Sequence, residues 1–129
     1  MSPQEILKFS FESCNPCFRS GIKVEPQESY EISGRIIHKL KDWIVNTGLD
    51  GFNNPINWFL KNRVKNKKCF LLMGSVGQGD LEIFPIGSQI VVHQCGCTEE
   101  LCFFVNDVNS KAAYSNNKGV IEITVKRIS

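Results

Sequence analysis

The sequence predicts an all-β sandwich. Three observations carry that expectation: segments in which apolar and polar residues alternate, short unbroken apolar runs, and turn residues spaced between them. Residues 1–20 read as an amino-terminal extension or a first strand. Ile22 and Val24 belong to a strand that breaks at Pro26-Gln-Glu28, after which Tyr30, Ile32, Gly34 and Ile36 alternate with polar residues. Cys69-Phe-Leu-Leu-Met73, Gln89-Ile-Val-Val-His93 and Leu101-Cys-Phe-Phe-Val105 are apolar runs suited to strands buried on both faces, with Gly74–Gly79 and Pro85-Ile-Gly87 supplying turns. Ile121, Ile123 and Val125 alternate with Glu122, Thr124 and Lys126, the period of a strand with one wet face. One stretch departs from the pattern. Ile36, Ile37, Leu40, Trp43 and Ile44 recur at helical spacing before Asn46-Thr-Gly48, and Ile56, Phe59, Leu60 and Val64 repeat it, so a short helix is expected within residues 36–66.

Length and composition support a single domain over residues 1–129, with 42% hydrophobic and 22% charged residues. A chain of this size buries roughly two thirds of the surface its unfolded form exposes, enough for one core. No apolar run approaches the ~20 residues of a membrane span, and MSPQEILKFSF lacks the charge and apolar stretch of a secretory signal, which makes the cytoplasm the default expectation. Fifteen basic against 13 acidic residues argue against a nucleic-acid partner. Lys61, Arg63, Lys65, Lys67 and Lys68 form a local basic run that reads as a solvated loop or, if the five share a face, an anion-attracting patch.

The densest polar cluster is Asn106-Asp107 with Tyr114-Ser-Asn-Asn-Lys-Gly119, between two strands. It offers carboxylate, amide and backbone oxygens of the kind that calcium takes in groups of six to eight, without EF-hand spacing. The same residue types make an ordinary connection, because Asn and Asp satisfy backbone groups and tolerate left-handed conformations.

Phe104-Val-Asn-Asp-Val108, Tyr114–Gly119 and the final alternating strand resemble the calcium-dependent, galactose-binding bacterial lectins of the LecA type. Gly21–Gly34, Leu49-Asp-Gly-Phe-Asn-Asn-Pro55, Phe70–Gly74 and Phe84–Gly87 are similar to earlier family segments in the same order, so the likeness runs over roughly residues 21–127. The resemblance implies a galactose-binding-domain-like jelly-roll β-sandwich with calcium at one end and a galactose-type sugar completing the metal's shell. Carried over by position, it assigns the metal to the Asp107 carboxylate, the side-chain oxygens of Asn116 and Asn117, and the backbone carbonyls of Ala113 and His38. It assigns the sugar to Asn54 and Asn57 together with Asp107 and Asn116; among the aromatic residues Phe52 and Tyr114, inside polar loops, are the candidates to stack on a sugar face. Such lectins gain avidity by association, so a homo-oligomer is a further expectation.

Six cysteines support competing readings. Cys14-Asn-Pro-Cys17 has zinc-knuckle spacing, and Cys95 and Cys97 would complete a tetrahedral site with His93 and Cys102 nearby. Disulfides require an oxidising compartment; otherwise Cys69 and Cys102 act as small buried hydrophobes. Cys14 or Cys17 beside His38 or His93 would be needed for thiol catalysis, and the spacing brings neither pair together, so no enzymatic activity is expected. The alternative to a lectin is a non-catalytic protein-interaction domain on the same scaffold, with a Cys-ligated structural zinc or no metal.

Overall fold

In the computed structural model, residues 1–42, 45–53, 62–65, 67–77, 82–88, 91–108 and 110–129 are described, the side chains of Asp42 and Val45 excepted. In chain order the elements are β1 (Ile6–Glu12), β2 (Phe18–Val24), β3 (Ser29–Asp42), β4 (Val45–Thr47), β5 (Leu72–Val76), β6 (Glu82–Pro85), β7 (Val91–Gln94), β8 (Glu99–Val105), α1 (Lys111–Ser115) and β9 (Asn117–Arg127). One sheet runs β1-β9-β3-β4, with β7 also on β3, and the other runs β2-β8-β5-β6; every pairing is antiparallel. The fold is a β-sandwich, as the alternation predicts.

The clearest alternating segment becomes the inward face of β9. Ile121, Ile123 and Val125 are fully buried and pair with Phe11, Phe9 and Leu7 of β1 on one side. On the other side Ile121, Ile123 and Val125 meet Ile36, Gly34 and Ile32 of β3. From the second sheet Val24, Leu72, Leu101, Phe103 and Val105 close the core. Phe18 stacks on Phe9 and Phe11 with ring centroids 5.5 Å apart, and Phe9 lies 5.5 Å from Phe103, so four rings lock β1 to β2 and β8 across the sandwich.

The apolar run in β8 has a second explanation besides the core. Cys102 and Phe104 alternate with the core residues and therefore face outward, yet both are buried. The Arg63 guanidinium lies 3.8 Å from the centre of the Phe104 ring, which places the segment around residues 62–71 over the outside of this sheet. A strand covered on both faces carries continuous apolar sequence.

The helix expected within 36–66 is corrected for its first part. Residues 36–42 are strand, paired with β9 through two register shifts, between Ile36 and His38 and between His38 and Lys41. Each irregularity adds residues to one strand, so the period of two stretches toward three to four and imitates a helix. Val64 lies in an irregular segment, while Trp43, Ile44, Ile56, Phe59 and Leu60 fall outside the described residues. Gly119 sits opposite this distorted stretch at φ +118°, where an added Cβ would stand 2.7 Å from the Lys39 carbonyl oxygen.

Beyond Val105, the fully buried Asn106 holds the covering segment in place. Its Oδ1 accepts from the Val64 N–H at 2.8 Å, and its Nδ2 donates to the carbonyls of Val64, Lys67 and Lys68 at 3.0, 3.2 and 3.1 Å. Asn106→Ala is expected to strand these groups and lower stability by about 3 kcal/mol. Chemical denaturation reads this as a reduced midpoint at unchanged slope, and a loss under ~1 kcal/mol would show that the covering segment is held by something else.

At the edge of the second sheet, Glu100 accepts from the Arg19 guanidinium at 2.8 Å and from the Gly21 N–H at 2.7 Å. The Arg19 hydrogen bond, against burial and with help from Gly21, holds the Glu100 carboxyl below its ordinary 4.5. A lowered folded-state pKa means that the stabilisation is present above pH 4.5 and disappears as pH falls through the folded value. Glu100→Gln is therefore expected to flatten the decline of melting temperature in acid relative to the parent chain.

Candidate functional site

The pairing register gathers four described parts of the chain at one end of the sandwich. Glu12 faces Val120, Phe18 faces Phe103, Asp42 faces Asn117 and Leu72 faces Val105. The β1–β2 turn, the end of β3, the residues leading into β5 and the described residues between β8 and β9 therefore converge. This last segment is the polar cluster seen in the sequence.

Asp107 is buried at 3% exposure. Its Oδ1 accepts from the Val108 N–H at 2.7 Å and from the Cys69 thiol at 3.8 Å, and its carbonyl accepts from the Arg63 N–H at 2.6 Å. The chain then makes a five-residue helix, α1, instead of the plain loop expected. Ser110 is its N-cap, extended at φ −146° and ψ 150°, with its Oγ accepting from the Ala113 N–H at 3.1 Å. Serine ahead of Lys-Ala-Ala is the signal that could have revealed this helix. Asn116 closes it as an exposed C-cap, its N–H bonded to the Tyr114 carbonyl.

Tyr114 does not present its ring to a ligand as expected. It is 2% exposed, and its hydroxyl donates to the Val105 carbonyl at 2.7 Å. Burial, reinforced by the Asp107 charge and opposed by Arg63 at 3.5 Å, pushes the phenol up to about 12. The residue is an anchor that pins α1 to the end of β8.

Asn117 opens β9 and is buried at 4% exposure. Its Nδ2 donates to the Ser13 carbonyl at 3.3 Å, whereas its Oδ1 has no hydrogen-bond partner among the described residues. A buried amide oxygen left in this state is uncommon and invites an electropositive ligand. Together with the buried Asp107 carboxylate, it gives this end hard oxygen donors, the chemistry that suits a calcium ion.

Of the five residues assigned to the metal, Asp107, Ala113, Asn116 and Asn117 fall within one connection, with Asn116 exposed and Ala113 half-buried in α1. His38 does not join them. It pairs with Val120, three residues along β9 from Asn117 and thus ~10 Å away. The residue paired with Asn117 is Asp42, because the two irregularities in β3 displace the count that positional matching assumes. Asn54 and Asn57, assigned to the sugar, lie outside the described residues.

The four-cysteine zinc set is also corrected. Cys14 and Cys17 stand in the β1–β2 turn, while Cys95 exchanges backbone bonds with Glu28 and Gln27 at the β2–β3 turn, at 3.0 and 2.9 Å. The seven residues of β2 separate the two ends by about 20 Å, too far for one ion. At the far end, the Cys97 thiol lies 3.7 Å from Glu82, whose other oxygen is 2.9 Å from His93 Nε2. Burial foremost, with Glu82 and Glu28 adding to it, pushes Cys95 up to about 12 and keeps it a neutral thiol.

Within the basic run, Arg63 serves the fold by reaching from Phe104 to the Pro16 carbonyl at 2.5 Å. Lys65, Lys67 and Lys68 are exposed, and Lys61 lies outside the described residues. Beside α1, Cys14, Pro16, Ser110, Lys111, Tyr114 and Ser115 line a depression of about 700 Å³. Among the described residues, no helix is long and apolar enough to cross a membrane.

The fold and the converging loops define the class as a β-sandwich of the kind found in lectin domains. No known family model and no curated protein sequence matches the chain. Among solved structures, the chain is similar to the EclA N-terminal domain, described as a PllA-like lectin, at 15% sequence identity and a TM-score of 0.65. The match covers 93% of this chain and 94% of that one. At that identity the likeness establishes the shared fold.

Tyr114→Phe is expected to cost about 1–2 kcal/mol by stripping the Val105 carbonyl of its donor. The check is a thermal melt, and an unchanged melting temperature would contradict the anchoring role.

Proposed function

We propose that the domain is a non-enzymatic carbohydrate-binding module. In this reading it recognises a galactose-type sugar through calcium held at the end of the sandwich bearing Asp107 and Asn117. The observation that carries the metal is the buried Asn117 Oδ1, an acceptor with no hydrogen-bond partner among the described residues. The observation that supports the sugar is the lectin-type fold of the similar EclA domain. Calcium would supply positive charge that neutral sugar hydroxyls can coordinate, with several oxygen positions open to ligand or water. The protein's own task is to keep Asp107 and Asn117 out of bulk water and in fixed positions, which the Val108, Cys69 and Ser13 contacts accomplish.

Titration calorimetry with methyl galactoside, in millimolar calcium and again in chelator, tests this reading. Saturable binding in calcium that weakens at least about tenfold in chelator is expected, as is a comparable loss for Asp107→Ala. Equal binding in both conditions, or no binding in either, would overturn it.

A further inference from the structure

Ser13, in the turn between β1 and β2, was given no role by its sequence context. It is fully buried, and its Oγ has no hydrogen-bond partner among the described residues. Its backbone is held on both sides by the start of β9: the N–H donates to the Gly119 carbonyl at 3.0 Å, and the carbonyl accepts from Asn117 Nδ2 at 3.3 Å. Two buried oxygens without hydrogen-bond partners, Ser13 Oγ and Asn117 Oδ1, thus belong to residues joined by one hydrogen bond.

Such atoms are costly. Each forfeits roughly 1–3 kcal/mol of solvation unless something outside the chain's own hydrogen bonding serves it. Alanine at position 13 would keep both backbone bonds and avoid that cost. The Asn117 amide donates one N–H to the Ser13 carbonyl, and its orphaned oxygen, an acceptor, calls for an electropositive partner. A serine hydroxyl offers lone pairs to the same kind of partner. The donor set also needs additions, since His38 is ~10 Å along the ladder and calcium takes six to eight oxygens.

We propose that Ser13 belongs to the calcium site, so that the β1–β2 turn, together with the connection between β8 and β9, builds it. The inference rests on the calcium reading above and extends it to a residue that the family resemblance does not assign. Ser13 Oγ contributes an uncharged oxygen, and the Ser13 carbonyl orients the Asn117 amide so that its oxygen faces the ion. The first twenty residues, expected as an extension or first strand, then become part of the functional end.

Calcium alone, titrated calorimetrically into chelator-stripped full-length protein, is the test. The parent chain is expected to bind saturably, and Ser13→Ala is expected to bind at least about tenfold more weakly. Ser13→Ala should melt no lower than the parent in chelator, because the substitution removes an unserved buried hydroxyl. Ser13→Gly serves as the second variant should the alanine chain fail to fold, with the same expected loss. If the parent binds no calcium, the metal reading itself fails and this inference with it. If the parent binds and both folded variants bind equally well, the metal reading stands and the role of Ser13 is overturned, the hydroxyl then serving a buried water.

Discussion

The side-chain amide of Asn106 is the constraint on which the Asp107 end of the sandwich depends. It leaves β8 fully buried, where an unserved amide would be costly, and it meets that requirement by binding one N–H and three carbonyls of the segment that crosses the outer sheet. Its backbone adds to the clamp, with the N–H bonded to Leu71 and the carbonyl accepting from Phe70. The segment so held includes Phe70 at φ +65°, a left-handed conformation that costs a bulky residue of order 1–3 kcal/mol and persists only where its surroundings enforce it. The clamp also delivers Arg63 onto Phe104 and toward Tyr114, and it positions Asp107 one residue further on.

The two ends of the sandwich are chemically distinct. At the Asp107 end the buried groups include neutral oxygens and one carboxylate, beside a turn whose backbone is stitched to β9. At the opposite end, carboxylates meet neighbouring side chains: Glu28 meets Arg127 at 2.9 Å and the Tyr30 hydroxyl at 2.8 Å, and Glu82 lies beside His93 and Cys97. Those carboxylates have partners among the described residues. The Asn117 end holds a buried amide oxygen with none among them.

Much of the fold was legible because periodicity reports directly on which face is wet. Ile121, Ile123 and Val125 in β9, Tyr30 to Ile36 in β3 and the apolar run of β8 all became strands as expected. Residues 36–42 misled because irregular pairing with β9 alters the spacing without altering the strand. α1 was missed because five residues are too few to show periodicity, and only the Ser110 cap announces it. Asp107, Ala113, Asn116 and Asn117 are near one another in sequence, whereas His38 and the four-cysteine set depended on long-range placement, which strand register put elsewhere.

The sequence by itself determined the two-sheet class, the strands β2, β8 and β9 with the first part of β3, and the polar connection that carries Asp107 and leads to Asn117, because burial pattern and residue chemistry are local properties. Only the tertiary structure decided that Asp42 and not His38 faces Asn117, that Cys14 and Cys95 lie at opposite ends, and that Ser13 touches the start of β9. These follow from strand register and from which loops share an end, and a shift of one or two residues in pairing changes both while leaving the local pattern almost unaltered.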